Sequence, residues 1–172
     1  KLGDECRLNV DYVHPTQPAV GVVADNCKRD KLARKDAKDL DKYLKKGKRV
    51  VPTVIGPDGN YYITDHHHLS TAVYKRLQEL PELQKDVRLY AQIVGNFSGS
   101  VGGNDPSGGM ANFWHSMAVC NNAFPYYLGH PINPLSQMPA SLAAMKDDPF
   151  RTLSRWVRDA YGYIKPSRNP AN

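Results

Sequence analysis

Cysteine is scarce in this sequence, and long apolar runs are missing from it. Three cysteines occur among the 172 residues, at positions 6, 27 and 120. They are too far apart for C-x-x-C spacing and fit no metal site built from paired cysteines. No run of about 18 apolar residues occurs, which excludes a membrane-spanning helix. Aromatic residues make up 9% of the chain and apolar residues 41%, which is enough for a hydrophobic core.

Two further features bear on the compartment. The chain begins at Lys1 rather than at methionine, and Asn96-Phe97-Ser98 is an acceptor triplet for N-glycosylation. Both features are typical of a processed protein, so we expect it to be secreted or periplasmic. An oxidising compartment would allow one disulfide, Cys6 with Cys27, and would leave Cys120 free. The sequence leaves the cysteine pairing open.

Acidic residues are fewer than basic ones, 17 against 23, and the formal net charge is +6. The excess is concentrated between Lys28 and Arg49, where eleven Lys or Arg and four Asp give a local net charge of +7. Such a surface attracts polyanions, so a phosphate-containing ligand or a nucleic acid is the expected partner. A solvated helix face that only keeps the protein soluble is the alternative.

Hydrophobic periodicity predicts the main elements. Alternation and β-branched residues predict strands over residues 7–13, 49–55, 60–64 and 87–94, and Pro52 predicts an edge or bulge position in the second of these. A spacing of three to four residues predicts helices over residues 30–46, after the histidines at 66–68, over 110–120 and after Asp148. In the last helix, a buried face is predicted for Phe150, Leu153, Trp156, Val157 and Ala160.

This order of elements predicts an α/β (α+β) fold in one compact unit. We expect an α/β core over residues 1–94, a Gly-rich loop over 95–109 and a mainly helical extension over 110–172 that packs on the core. A length of 172 residues is compatible with a single hydrophobic core.

The chemistry concentrates where a strand meets a helix, at Asp65, His66, His67 and His68. Consecutive helical residues point about 100° apart, so at most two of these histidines can converge on one ligand. The helical pattern turns His66 inward; if the strand instead persists to His67, Asp65 and His67 share one side. Neutral histidine is a base or a metal ligand, and protonated histidine neutralises phosphate. Asp65 could cap the helix, orient a histidine or bind a metal; four polar residues that merely start a helix are the alternative.

Four segments carry a resemblance to a known family. They are His-Pro-Thr-Gln-Pro-Ala-Val-Gly at 14–21, Val-Pro-Thr-Val-Ile-Gly-Pro-Asp-Gly at 51–59, Tyr-Ile-Thr-Asp-His-His-His-Leu at 62–69 and Asp-Asp-Pro-Phe-Arg-Thr-Leu-Ser at 147–154. In this order they resemble the ParB-like nuclease branch of the ParB/sulfiredoxin superfamily. The resemblance implies a small mixed sheet with flanking helices, and a strand-to-helix junction that binds nucleotide or phosphate.

The free serine kinases of that superfamily have a motif similar to Asp-Gly-His-His-Arg. Aligned on it, Asp65, His67 and His68 match, His66 replaces glycine and Leu69 replaces arginine. The loss of that arginine removes a bidentate phosphate contact, so another cation has to supply it. Because residues 65–69 contain no cysteine, sulfinic-acid reduction is not expected. The double arginine of ParB-type CTP switches is also missing.

These considerations define the site hypothesis. Asp65, His66, His67 and His68 are the predicted catalytic residues, and Asp65 with His67 is a candidate site for Mg²⁺ or Mn²⁺. His115 either completes the site or packs beside Trp114 and Met117. The predicted substrate-binding and phosphate-binding residues are Ser70, Thr53, Lys28, Lys31 and His115.

The expected activity is that of a nuclease or phosphodiesterase. A nucleotide-dependent phosphotransferase and a non-catalytic secreted protein that binds polyanions or a partner are the alternatives.

Overall fold

The computed structural model describes residues 1–99, 106–133 and 135–163. Its strands are β1 Glu5–Leu8, β2 Val13–Pro15, β3 Ala19–Val20, β4 Val51–Ile55, β5 Tyr61–Ile63, β6 Leu89–Asn96, β7 Tyr126–Tyr127, β8 His130–Pro131 and β9 Lys146–Asp147. Its α-helices are α1 Val22–Ala33, α2 Ala37–Leu44, α3 His67–Glu79, α4 Pro106–Val119 and α5 Pro149–Asp159. The predicted α/β fold class is confirmed.

A five-stranded mixed sheet in the order β1-β6-β4-β5-β2 organises the chain. β6 and β4 are parallel, as are β5 and β2, whereas the β1–β6 and β4–β5 pairs are antiparallel. Two smaller pairs, parallel β3–β9 and antiparallel β7–β8, lie outside this sheet.

Both faces of the sheet are covered, because successive strand residues point to opposite sides. Ile63 joins a large core cluster with residues of α1, α2 and α3, among them Leu32 and Leu40. Its neighbour Tyr62 joins a second cluster with Phe113 and other residues of α4. The sheet therefore lies between two layers of helices.

Two predicted elements are each divided in the structure. The strand predicted over 7–13 is wrong: a 3₁₀ turn at Val10–Tyr12 separates β1 from β2, and the side chain of Asn9 accepts the N–H of Asp11. The helix predicted over 30–46 is likewise two helices. Asp36 starts the second one by accepting the N–H of Asp39 at 2.8 Å. The apolar spacing continues across the break between α1 and α2, so it predicted one helix.

Two prolines lie in the sheet. Pro15 is the last residue of β2, where it is tolerated because β2 is an edge strand and needs no N–H at this position. Pro52 lies in β4, a central strand, so of its two predicted alternatives, an edge or a bulge position, the edge does not apply. The predicted bulge is present, because the β4–β6 register shifts between Thr53 and Val54.

The start of α1 packs closely against α5. β3 and β9 run parallel, and each leads directly into one of these helices. A Cβ atom added to Gly21 would lie 2.4 Å from Oγ1 and 2.7 Å from the backbone N of Thr152, which is itself buried. Only glycine therefore allows this approach. The contact brings the first turn of α5 next to the strand-to-helix junction.

α5 begins as predicted, with Pro149 in its first turn and Asp148 accepting the N–H of Phe150 at 3.0 Å. Its predicted buried face is wrong. Four apolar residues of the helix are exposed, and the helix buries Thr152 instead, because it packs on α1 through the side that carries this residue. These four residues are Phe150, Leu153, Trp156 and Val157, and Ala160 at the C-cap is exposed as well.

Three other sequence expectations concern the cysteines, the Gly-rich loop and the C-terminal end. All three cysteines are free, so the suggested disulfide between Cys6 on β1 and Cys27 on the exposed side of α1 is not formed. α4 begins at Pro106, earlier than the predicted residue 110. Residues 100–105 of the predicted loop and 164–172 of the predicted extension lie outside the described residues. Among the helices that are described, none is long and apolar enough to cross a membrane.

Candidate functional site

A cavity of about 790 Å³ opens where the first turns of α3 and α5 meet. Its volume falls within the range of small-molecule sites, roughly 300–1,000 Å³. All four junction residues line it, and so do residues of the C-terminal half. The contact between α1 and α5 therefore builds one wall of the cavity, while the end of β5 and the start of α3 build the other.

The start of α3 has an unusual backbone. His66 occupies the N-cap position in the left-handed conformation, with φ 61° and ψ 21°, and no side chain caps the helix. Asp65 is therefore not the cap; its Oδ1 accepts the N–H of His66 at 2.7 Å. Helix N-termini carry N–H groups without intrahelical partners and the positive end of the dipole. This end of α3 thus favours an anion in the cavity.

His67, and not His66, is the inward-facing histidine of the three. Its side chain is buried, and its Nε2 accepts the backbone N–H of Thr16 at 3.1 Å. Burial lowers the pKa of His67 to about 3, with Asp65 acting in the opposite direction. A neutral ring whose Nε2 is already bonded joins α3 to the end of β2. The packing of His67 is thus a structural link between these two elements.

His68 forms a pair with a residue that sequence reasoning did not select. Nδ1 of His68 lies 2.5 Å from Oδ1 of Asp25, in the first turn of α1. When Nδ1 donates to this carboxylate, the other nitrogen of the neutral ring can accept a proton. Asp25 is completely buried, whereas His68 lines the cavity. A carboxylate that holds a histidine in this way orients it for proton transfer.

Four cations line the cavity, against two carboxylates, Asp65 and Asp148. The carboxylate of Asp148 accepts the backbone N–H groups of Phe150 and Leu128. The wall of the cavity is therefore positive overall and suits a phosphate group. The cations are Lys28, Arg151, Arg155 and Arg158.

Arg151 is the most constrained of these cations. Its guanidinium lies 4.5 Å from the ring centre of Phe124, and its Nη1 donates to Oε1 of Gln17 at 3.0 Å. Nε and Nη2 are buried and have no hydrogen-bond partner in the part of the chain that the structure describes. Burial lowers the pKa of Arg151, and Asp148 raises it. Two guanidinium nitrogens of Arg151 thus lack a partner at the wall of the cavity.

Lys28 also lines the cavity, as the sequence analysis proposed, and its pKa lies below the ordinary lysine value. Burial is the main cause, and Arg155 contributes; Asp25 and Asp65 raise the pKa in part. The lysine is only half-buried. A lysine whose ammonium is destabilised in this way gives up its proton more readily than one in water.

The structure does not bring the remaining predicted residues to this cavity. Thr53 is buried in β4 and donates to the carbonyl of Val51 at 3.1 Å, and Ser70 is buried within α3. Lys31 is exposed on α1. His115 is exposed on α4, away from the packed faces of Trp114 and Met117. None of the four is among the residues that line the cavity.

The proposed pair of metal ligands, Asp65 and His67, does not suit a metal ion. The Nε2 lone pair of His67 is used by the N–H of Thr16. Within residues 1–99, 106–133 and 135–163, no group of three or more His, Cys, Asp or Glu side chains is arranged to hold a metal ion. The residues at this site therefore do not fit the Mg²⁺ or Mn²⁺ of the original hypothesis.

Two important residues were missed from sequence. Asp25 precedes His68 by 43 positions, and only the packing of α1 against α3 brings them together. Arg151 had a signal, because it lies in one of the segments that carried the family resemblance.

Comparison with known proteins agrees with this architecture. A family model described as "Putative ParB-like nuclease" matches residues 6–171. Among solved structures, the crystal structure of protein Atu1540 from Agrobacterium tumefaciens is similar, with a TM-score of 0.74 and 27% sequence identity, over 96% of this chain and 73% of that chain. No curated protein matches. The family match spans nearly all of the sequence, including both walls of the cavity, and the chain belongs to the ParB-like nuclease family.

Proposed function

We propose that this protein hydrolyses phosphodiesters of nucleic acids, with His68 as the acid–base catalyst. The observation that carries the proposal is the Asp25–His68 pair, whose imidazole lines a cavity with four cations. Membership of the ParB-like nuclease family supports the same class of reaction. Cleavage of a phosphate ester needs a site for the anion and a group that moves protons.

The anion has two sets of donors. The first turn of α3 has no side-chain cap, and N–H groups at a helix N-terminus without such a cap can bind an anion. Arg151 adds Nε and Nη2, which have no other partner among the residues described. Donors fixed before the substrate arrives bind and orient the phosphate group without rearranging first. Gln17 and Phe124 hold the guanidinium in place.

His68 and Lys28 supply the proton transfers. The unprotonated ring nitrogen of His68 takes a proton from a water molecule while Asp25 accepts the Nδ1–H bond. The water oxygen forms a bond to phosphorus, and the ester P–O bond breaks. Lys28, whose pKa is lowered mainly by burial, gives a proton to the leaving oxygen. Proton exchange with solvent then removes the extra proton from His68 and returns one to Lys28.

The test is turnover of labelled single-stranded DNA, duplex DNA, RNA and bis(p-nitrophenyl) phosphate. We expect His68→Ala to lower kcat by about 10²–10⁴-fold, the usual contribution of a positioned acid or base. His115→Ala is the matched control, because His115 is exposed on α4 and does not line the cavity. The absence of turnover of any of these substrates by wild type would rule out this function, and equal turnover by wild type and His68→Ala would rule out His68 as its catalyst.

A nucleotide-dependent phosphotransferase is the second candidate, and the cavity rim favours it. Phe124 and Tyr126 line the cavity, are about half exposed, and have ring centres 5.3 Å apart. Exposed aromatic rings can stack on a nucleotide base. Calorimetry with ATP and ADP tests this candidate. Saturable binding that Phe124→Ala weakens would support it, and the absence of heat with either nucleotide would count against it.

A further inference from the structure

A second basic pocket lies directly beside the cavity and shares two residues with it. This pocket has a volume of about 220 Å³, and both it and the cavity are lined by Lys28 and His66. Its other lining residues come from the end of α2, the turn that precedes β4 and the inward face of α3. They are Tyr43, Lys48, Arg49 and Leu69. The two spaces thus adjoin across a ridge formed by Lys28 and His66.

The pocket has the chemistry of an anion site. Three cations line it, and none of its lining residues is a carboxylate. The guanidinium of Arg49 lies 3.5 Å from the ring centre of Tyr43, and its Nη1 donates to the carbonyl of Tyr43 at 3.1 Å. This bond uses one of the five N–H donors of the guanidinium and fixes its plane. Arg49 is therefore held in position before any ligand binds.

From this arrangement we infer a second phosphate subsite. It binds the phosphate that neighbours the reacting one in a ligand with successive phosphate groups. This inference rests on the proposed function, which assigns the reacting phosphate to the adjoining cavity. Lys48 and Arg49 hold the neighbouring phosphate, and Lys28 on the ridge interacts with both.

The surroundings favour a nucleic-acid strand as the source of these phosphates. Lys42, Lys45 and Lys46 are exposed and directly precede the lining residue Lys48 in the chain. A run of exposed lysines next in sequence to the pocket lining matches a ligand that carries further charges. A nucleoside diphosphate has the same local chemistry but would leave this continuation unused.

The experiment compares the affinities of ligands that differ by one phosphate. Calorimetry on His68→Ala, which need not turn over, uses the thymidine dinucleotide TpT and its 5′- and 3′-phosphorylated forms, together with AMP and ADP. We expect the extra phosphate to tighten binding about 10–100-fold, as a charge-assisted contact does. Adding Lys48→Ala and Arg49→Ala should remove this gain and leave the affinity for TpT unchanged.

Two controls separate the outcomes. Lys46→Ala removes an exposed lysine that does not line the pocket, so the gain should persist in it. If Arg49→Ala disturbs folding because the Arg49–Tyr43 contact is lost, Lys48→Ala alone still tests the subsite. If the extra phosphate tightens binding only in ADP, the subsite is still supported and its ligand is a nucleotide. An extra phosphate that does not tighten binding, or a gain that survives both substitutions, would overturn the subsite even if wild type cleaves nucleic acid.

Discussion

Arg151 and Gln17 are 134 positions apart in the chain, and a 3.0 Å hydrogen bond joins their side chains at the wall of the cavity. The contact places a guanidinium from the C-terminal helix opposite the strand-to-helix junction. The helix N-terminus at the junction thereby gains a guanidinium held in a fixed position beside it. The same bond couples the C-terminal half of the chain to the region where the anion is proposed to bind.

Replacing Arg151 should weaken substrate binding more than it slows the chemical step. We expect Arg151→Met to raise KM about 10–100-fold, because one charge-assisted contact to phosphate is lost while the methionine keeps contact with Phe124. Steady-state kinetics with a labelled oligonucleotide measure this. Arg34→Met is the control, since Arg34 is exposed and does not line the cavity. An unchanged KM in Arg151→Met would contradict the assignment.

Replacing Asp25 should have the opposite kinetic pattern. Asp25→Asn removes the charge that stabilises a protonated His68, so we expect kcat to fall about 10–100-fold with KM nearly unchanged. The fold should survive, because the neutral amide has the same shape in a completely buried position. Asp30→Asn, an exposed change on the same helix, is the control. A variant with wild-type kcat would show that the pair has no role in catalysis.

His67 should make the protein less stable in mild acid. Its pKa is lowered to about 3 in the folded protein and returns to about 6.5 on unfolding. The unfolded chain therefore binds the extra proton between these values. The free energy of unfolding should fall by up to about 1.4 kcal/mol for each pH unit below about 6.5.

Urea denaturation at pH 7, 6 and 5 measures this slope. In His67→Gln the slope should be smaller, because glutamine can still accept the N–H of Thr16 and does not titrate. His115→Gln, at an exposed histidine, should leave the slope as in wild type. Equal slopes in wild type and His67→Gln would show that the buried ring is not the source of acid sensitivity.

Gly21→Ala should destabilise the fold. The new methyl group would meet the backbone N of Thr152 at 2.7 Å, and backbone cannot move aside as a flexible side chain can. We expect a loss of about 1–3 kcal/mol in the free energy of unfolding, measured by urea denaturation. Gly47→Ala is the matched control, because no heavy atom lies within 4 Å of its added Cβ. If both variants are as stable as wild type, α1 and α5 are not in this close contact.

Chelation of divalent ions should leave the hydrolytic activity in place. Asp65 and His67 do not fit a metal site, since Nε2 of His67 already accepts the N–H of Thr16, and the proposed proton transfers use His68 and Lys28. We expect turnover of bis(p-nitrophenyl) phosphate to persist in excess EDTA. Activity lost with EDTA and restored by Mn²⁺ would show that a metal ion is required and would contradict this mechanism.

Local sequence signals located the junction and several helix boundaries. Pro149 after Asp148 predicted the start of α5, and the position of the histidines after β5 predicted the start of α3. These predictions succeeded because caps and turns depend on residues a few positions apart. The single helix predicted over 30–46 was wrong, because apolar spacing alone does not reveal that Asp36 caps a second helix.

The tertiary structure decided which junction residues face the ligand. Periodicity turned His66 inward, but the left-handed backbone at that residue starts α3 one position later and buries His67 instead. The partner of His68 lies on α1, and the cation that replaces the missing arginine lies on α5. A sequence pattern shows the periodicity of a single helix, whereas contacts between residues of different helices depend on how the helices pack together. The residues of the site were present in the sequence, and packing selected Asp25, His68 and Arg151 from among them.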